Sequence, residues 1–261
     1  MKALILAAGY ATRLRPLTDT RAKELLPVGE RPIIDWIVDS IDGVDAVDEV
    51  HVVTNARKAP AIQAWAATRG GDIHVHDDGT STNDDRLGAI GDLRFVIDNA
   101  QIDDDMLVIA GDNLFDFSLA DYVAFWEAKR AAVGAASAVA VRDVGSLDIA
   151  RRMGIVALAE DARVTDFVEK PEDPPSTLAA TATYLYDRRH VALVGEYLDA
   201  GNPHDQPGRY VAWLQERAPV YGWVFAEPWY DIGDAEQLLV ADNHLRVRRG
   251  LPERDTYSPD A

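Results

Sequence analysis

Two acids stand where a metal ion could be held. Asp112 closes the apolar run Val108-Ile109-Ala110 through Gly111, and Asp231 follows Trp229-Tyr230 and precedes Ile232-Gly233. A carboxylate at the end of a strand can ligate Mg²⁺, which takes few protein carboxylates and completes its shell with water and phosphate oxygens. Each acid also has an ordinary reading, Asp112 as a turn former and Asp231 as a helix N-cap. The small-residue stretch Ala7-Ala8-Gly9-Tyr10-Ala11-Thr12-Arg13 follows the first apolar run. Its backbone N–H groups could approach an anion closely, and Arg13 could fork onto phosphate oxygens. It could equally be a plain turn, and it is neither Gly-x-Gly-x-x-Gly nor a Walker loop. Lysine is scarce, 5 residues against 21 arginines, so Lys23 and Lys170 are less readily dismissed as surface filler. Alone, the pair Glu169-Lys170 before Pro171 reads as a solvated ion pair of little energetic weight.

Positioning these groups requires strands that end together. Short apolar, β-branched runs lie at Ala3–Ala7, Val50–Thr54, Ile73–His76, Met106–Ala110, Ala136–Val141, Gly154–Leu158, Val164–Val168, Ala182–Tyr186 and Val220–Phe225. Their length and bounding turns predict strands. Helical periodicity runs through Arg31–Ile41, with Ile33, Ile34, Ile37 and Ile41 on one face, and through Arg86–Ile97, Ala120–Arg130, His190–Leu198, Arg209–Gln215 and Ala235–Val247. Strand–helix alternation in the first half predicts a parallel sheet wrapped by helices. Residues 136 to 187 carry several strands and little helix, so antiparallel strands should join the same sheet. In such sheets ligands bind beyond the carboxyl ends of the strands, where the opening loop lies. We expect one domain over residues 1–250 and a flexible tail over 251–261. Trp36, Trp65, Trp126 and Trp213 read as core. Asp103-Asp104-Asp105 and Asp77-Asp78 read as solvated loop acids. His74-x-His76 has no evident partner.

Composition narrows the function. The 261 residues carry 26 Lys+Arg against 44 Asp+Glu, a net charge of −18, which argues against non-specific binding to nucleic acid or an anionic membrane. It leaves room for a locally basic site that takes a phosphorylated substrate. The chain has no cysteine, which removes disulfides, thiolate metal sites and cysteine nucleophiles. The apolar start Met1–Ala8 is too short for a secretory signal, and no run approaches the ~18 apolar residues of a membrane span, so a cytoplasmic location is expected. No Ser-His-Asp or Gly-x-Ser-x-Gly arrangement suggests hydrolase chemistry.

Taken in order, A-A-G-x-x-T-R-L-x-P-x-T from Ala7 to Thr18, K-x-L-L-P-V from Lys23 to Val28 and R-P-I-I from Arg31 to Ile34 resemble the sugar-phosphate nucleotidylyltransferases. Gly111-Asp112-Asn113, Glu169-Lys170-Pro171 and Trp229-Tyr230-Asp231-Ile232-Gly233 fit the same family. The resemblance runs from Lys2 to about Asn243. It implies a three-layer α/β/α fold of the Rossmann-like nucleotide-diphospho-sugar transferase type. It also implies a Mg²⁺-dependent reaction of a nucleoside triphosphate (NTP) with a sugar 1-phosphate, giving a nucleotide sugar and pyrophosphate. By resemblance, Ala8, Gly9, Thr12, Arg13, Lys23, Gly88 and Asp112 hold the nucleotide. Gly154, Glu169, Lys170 and Thr181 hold the sugar phosphate, and Asp112 and Asp231 hold the metal. Arg13, Lys23, Asp112 and Lys170 are the catalytic set.

Three positions and one loop depart from the family. Ala11 and Ala182 stand where it carries glycine, Glu24 stands where it has Gln or Pro, and the loop Asp78–Ala89 lacks the Gln-Pro of the thymidylyltransferases. The base therefore cannot be read from that loop. dTTP or UTP with glucose 1-phosphate is the favoured pair. A cytidylyltransferase for phosphocholine or inositol phosphate is the alternative, with Tyr184, Tyr186 and Trp229 as candidate aromatic faces. A catalytically silent nucleotide- or sugar-binding regulator is the reading from another class. Homo-oligomerisation is left open.

Overall fold

The structure is a computed structural model, and residues 1–259 are described. In chain order the elements are β1 (Lys2–Leu6), β2 (Pro27–Val28), β3 (Arg31–Pro32), α1 (Ile33–Asp42), β4 (Glu49–Thr54), α2 (Ala59–Arg69), β5 (Ile73–Asp77) and α3 (Ala89–Asn99). Then follow β6 (Met106–Ala110), β7 (Asn113–Phe115), α4 (Leu119–Val133), β8 (Ser137–Asp143), α5 (Leu147–Ala150), β9 (Gly154–Leu158), β10 (Val164–Glu169) and β11 (Leu178–Tyr186). The chain closes with α6 (Arg188–Val191), α7 (Val194–Asp199), α8 (Pro207–Gln215), β12 (Val220–Phe225), β13 (Trp229–Asp231) and α9 (Ala235–Arg248).

Among the described residues nine strands make one mixed sheet. Its spine runs β12-β8-β11-β6-β1-β4-β5, and the β10-β9 hairpin attaches to the first half of β11. β6, β1, β4 and β5 are parallel, with Leu4 between His51 and Val108. The expected antiparallel insertion is β11, which pairs Tyr184 with Val108 on β6 and Ala138–Val139 of β8 on its other edge. The short strands β7 and β13 pair separately and bring Asn113 opposite Asp231.

The sheet is covered on both faces, which is why its strands read as unbroken apolar runs rather than as alternations. Ala3, Ile5, Val52, Leu107 and Ile109 face one core with Ile33, Ile34, Ile37 and Ile41 of α1, Trp126 of α4 and Leu245 of α9. Leu4, Val53, Val108 and Tyr184 face the other, against Ile90 and Leu93 of α3 and Tyr210 and Leu214 of α8. The periodic isoleucines of α1 are all buried, each worth roughly 1.5–3 kcal/mol of transfer free energy.

Three features depart from the sequence expectation. Helix α2 carries only Ala59, Ile62 and Trp65 as a buried face among exposed alanines and polar residues, so its periodicity is weak. The stretch His190–Leu198 splits into α6 and α7. Beyond Gly250 the described residues are tied down: Arg254 exchanges backbone bonds with the Asn243 side chain, and the Tyr257 hydroxyl donates to the Pro27 carbonyl at 2.8 Å. The final two residues of the expected tail lie outside the described residues.

Strand β11 breaks register between Ala180 and Tyr184, and Ala182 within this bulge has φ 52°. That is the left-handed region, which costs an L-residue with a Cβ about 1–2 kcal/mol and costs glycine nothing. Ala182→Gly should therefore stabilise the fold by about 0.5–1 kcal/mol, raising Tm by roughly 1–4 °C, while Ala180→Gly in the same strand should destabilise it. Thermal unfolding of the two variants beside the parent checks the sign.

Candidate active site

The opening loop leaves the carboxyl end of β1 between β4 and β6. Its carbonyls are held from below. The Asn55 amide donates to Ala8 O at 2.7 Å, and the Lys58 ammonium reaches Gly9 O and Ala7 O. Ala11 takes the left-handed conformation, φ 47° and ψ 41°, to start a short 3₁₀ turn over Thr12–Leu14, and Thr18 Oγ1 donates to its carbonyl. Gly9, Thr12 and Arg13 are exposed on the outer side of the loop. The guanidinium of Arg13 lies over Gly233 and draws the Asp231 carboxyl down electrostatically.

Lys23 opens a second 3₁₀ turn, Lys23–Leu25, that runs into the β2–β3 hairpin. The hairpin turn uses Gly29 at φ 54° and Glu30 at φ 66°, and the Gly29 N–H donates to buried Asp242 of α9 at 2.7 Å. A Cβ at Gly29 would lie 2.8 Å from Leu245 Cβ, so only glycine lets hairpin and helix meet. So anchored, Lys23 is buried and its Nζ lies 2.6 Å from Asp112 Oδ2. Asp112 Oδ1 accepts from Asn113 Nδ2 at 2.8 Å, and Trp229 Nε1 donates to Asn113 Oδ1 at 2.7 Å. Burial opposes the charge of Asp112, but Lys23 and these hydrogen bonds more than offset it, and the carboxyl sits below its usual range.

Asp231 lies across the β7–β13 pair. Burial and then the negative charge of Asp112 push its carboxyl up to about 6, against partial relief from Lys23 and Arg13. It does not cap α9, because Asp234 does so, accepting from Gln237 N at 2.9 Å. The two sequence-predicted acids therefore share one site with Lys23 and Arg13.

Beyond β11, Glu169 ends β10 opposite Gly154 of β9, and Lys170 follows with φ 49°. Burial raises the Glu169 carboxyl, with Lys170 and then Arg209 opposing. A Cβ at Gly154 would lie 2.8 Å from the Phe167 ring and 3.0 Å from Glu169 Oε2, so this glycine makes room for both side chains. Gly208 of α8 does the same from the opposite side. Thr181 does not reach the surface: it is 0% exposed and donates its hydroxyl to Ala140 O at 3.0 Å, bridging the β11 bulge to β8.

The loop between β5 and α3 is self-bonded. Thr80 donates from its N–H and hydroxyl to Asp78 Oδ1 at 2.7 and 2.8 Å, and Tyr10 OH lies 2.9 Å from Thr80 Oγ1. Asp78 is thus part of a network joining this loop to the opening loop, not a solvated acid. Asp103 and Asp105 are also engaged, with Arg188 and Arg130. Gly88 is packed rather than open. A Cβ there would lie 2.7 Å from Asp205 Cα and from His204, whose backbone carbonyls cap the α3 N–H groups of Ala89 and Ile90. His74-x-His76 finds its partners in His51, 2.9 Å from His76, and in Asn99; burial lowers His76 to about 4.

A nucleotidyl transferase family model matches residues 2–247. The chain belongs to this family. Among curated relatives, the UTP–glucose-1-phosphate uridylyltransferase AglF of Haloferax volcanii is 32% identical over 188 residues, 71% of this chain and 72% of its own. The bifunctional protein GlmU of Methanocaldococcus jannaschii is 24% identical over 245 residues, 94% of this chain and 54% of its own, so the chain spans about half of that relative. A solved UDP-glucose pyrophosphorylase bound to UDP-glucose superposes with a TM-score of 0.79 at 22% identity, covering 95% of this chain and 99% of that one. A Bacillus anthracis structure assigned as a glucose-1-phosphate thymidylyltransferase and holding sucrose gives 0.81 at 23% identity, with 99% of this chain and 98% of that one covered. These likenesses show the fold: a mixed, mostly parallel sheet between helical layers.

For a member of this nucleotidyl transferase family, sequence reasoning missed Asn55 and Lys58. The scarcity of lysine was the available signal for Lys58, but no local motif surrounds it. The elevation of Asp231 generates a sign-definite expectation. A folded carboxyl at about 6, against 3.8 unfolded, binds an extra proton between those values, so stability falls as pH rises from about 4 through 6 and stays reduced above. Asp231→Asn should raise stability at pH 7 by about 1–2 kcal/mol in EDTA, with the gain vanishing towards pH 4. Denaturant unfolding at pH 4, 5.5 and 7 measures it, and equal ΔΔG at all three would contradict the assignment.

Proposed function

We propose that this chain is a nucleotidylyltransferase joining an NTP to a sugar 1-phosphate, with release of pyrophosphate. The observation that carries the reading is the convergence of Asp112, Asp231, Lys23 and Arg13 beside the opening loop, with Glu169 and Lys170 at the end of the β9–β10 hairpin. Two carboxylates, hard oxygen donors, fit Mg²⁺. No group of three or more metal-binding side chains occurs among the described residues, and Mg²⁺ bound by two carboxylates would draw its other ligands from phosphate and water. When bound there it would supply the positive charge that lets two phosphate groups approach each other.

The protein's share of the chemistry follows from its residues. A phosphate oxygen of the sugar 1-phosphate is already anionic, so no general base is required. It attacks the α-phosphorus in line, a new P–O bond forms, and the bond to the pyrophosphate oxygen breaks with the electron pair leaving on pyrophosphate. Lys23 and Arg13 neutralise that leaving group, Lys170 aligns the attacker, and Glu169 accepts sugar hydroxyls. UTP or dTTP with glucose 1-phosphate is the preferred pair, and the uridylyltransferase relative at 32% identity supports UTP. A choline-type substrate would need aromatic faces around its ammonium. Tyr184 and Tyr186 do not offer them, since each is 2% exposed in the core.

Pyrophosphate release across all four ribonucleotides and dTTP, with glucose 1-phosphate and phosphocholine as acceptors, tests the reading. UTP or dTTP with glucose 1-phosphate should have the highest kcat/KM, and a preference for CTP with phosphocholine would overturn the substrate assignment. Asp112→Asn should nearly abolish turnover. Lys170→Ala should cost about one to two decades, mainly in KM for the sugar phosphate, and Lys23→Ala a similar amount towards the NTP. An identical defect towards both substrates in both variants would refute the division of roles.

A further inference from the structure

The acid beside Lys23 should be a liability in a site that collects phosphates. Glu24 is buried, immediately next to the lysine that faces Asp112. Its carboxylate turns instead towards Lys58, whose Nζ lies 3.2 Å from Oε2 and 3.3 Å from Oε1. The side chain passes close over Gly111, where a Cβ would lie 3.2 Å from Glu24 Cγ and 2.9 Å from Leu6 O. Glu24 and Lys58 come from different segments, the 3₁₀ turn after the opening loop and the β4–α2 connection. Their side chains are only 5% and 11% exposed.

The same ammonium donates to Gly9 O and lies 3.4 Å from Ala7 O, so its three N–H groups have three acceptors. Asn55, three residues earlier, donates to Ala8 O at 2.7 Å and accepts from the Lys58 N–H at 3.3 Å. Three successive carbonyls of the opening loop are therefore held by one connection. In a trans peptide the N–H points opposite to the C=O. Fixing Ala7, Ala8 and Gly9 carbonyls turns the N–H groups of Ala8, Gly9 and Tyr10 away from Lys58. Among the described residues none of these N–H groups has a backbone acceptor. Such a run of unpaired N–H groups forms a concavity suited to an anion.

We propose that Lys58 is a positioning residue for phosphate binding: it cancels the charge of Glu24 and fixes the opening loop with its N–H groups outward. The proposal rests on the nucleotidyltransfer reading. Lys58 acts through the loop and does not touch the phosphates itself, since its donors are already engaged.

Calorimetric titration with Mg²⁺ and inorganic pyrophosphate isolates this effect from the identity of base and sugar. Lys58→Met should weaken pyrophosphate binding about 30- to 100-fold, because it loses the clamp and leaves Glu24 unpaired beside the phosphates. Adding Glu24→Gln to Lys58→Met removes the charge and should restore binding to within about 3- to 10-fold of the parent, whereas Glu24→Gln alone should change it less than about threefold. KM for the sugar phosphate should move less than about twofold in all three. If Lys58→Met does not fold, the neutral double variant carries the test through its residual deficit. The proposal is overturned if the double variant binds as well as the parent, if Lys58→Met stays within twofold of the parent, or if the double variant binds no better than Lys58→Met. That last result would put Lys58 on the phosphate directly. Absence of pyrophosphate binding by the parent itself would instead sink the nucleotidyltransfer reading, and this proposal with it.

Discussion

The 2.6 Å contact between Lys23 and Asp112 joins residues 89 positions apart, and much of the site is arranged around it. Asp112 is half-buried just after β6 and keeps its charge because Lys23 faces it. Lys23 is held in place by a hairpin that only a glycine allows to rest on α9. Asp231 then pays for the arrangement, raised to about 6 by its own burial and then by the charge of its ionised neighbour. A partly buried pair of this kind contributes little net stability, since desolvation and solvent screening offset much of the attraction. Its value is a concentration of charge that a phosphate-rich ligand can complete.

The sheet explains why these residues meet. β1, β4 and β6 run parallel in register, so the loops after Leu6, Thr54 and Ala110 emerge side by side. Each delivers one part: the small-residue loop, the Asn55–Lys58 connection, and Gly111-Asp112. The antiparallel strand β11 lies next to β6 and carries the β9–β10 hairpin, which ends in Glu169. The sheet switches from parallel to antiparallel pairing between β6 and β11, and switch points of this kind are where ligands commonly bind in open α/β folds.

Several residues that look functional are spent on packing. Gly154 and Gly208 accommodate Phe167 and Glu169, and Gly88 admits the 204–205 turn to the start of α3. Arg86 forms a two-pronged pair with Asp205 at 3.1 Å, closing the same turn from outside. A glycine's reason is the atom opposite its missing Cβ, and that atom can lie more than a hundred residues away.

The fold class, most of the strands, the isoleucine face of α1 and the order of the site motifs were legible in the sequence, because hydrophobic periodicity and short motifs are local properties. Asp112, Asp231 and Lys23, which the structure brings together, were each marked by residue type at the end of an apolar run or within a motif. Tertiary structure decided the rest. It turned Glu24 away from Lys23 and onto Lys58, gave Asn55 and Lys58 a place at the opening loop, and withdrew Thr181, Tyr184 and Tyr186 into the core. It also put the weakly periodic α2 against the sheet and joined Asn113 to Asp231 across β7 and β13. These outcomes depend on which charge and which surface arrive opposite a residue from a distant segment. A spacing pattern records what each segment can offer, but the pairing between segments exists only once the sheet has brought their ends together.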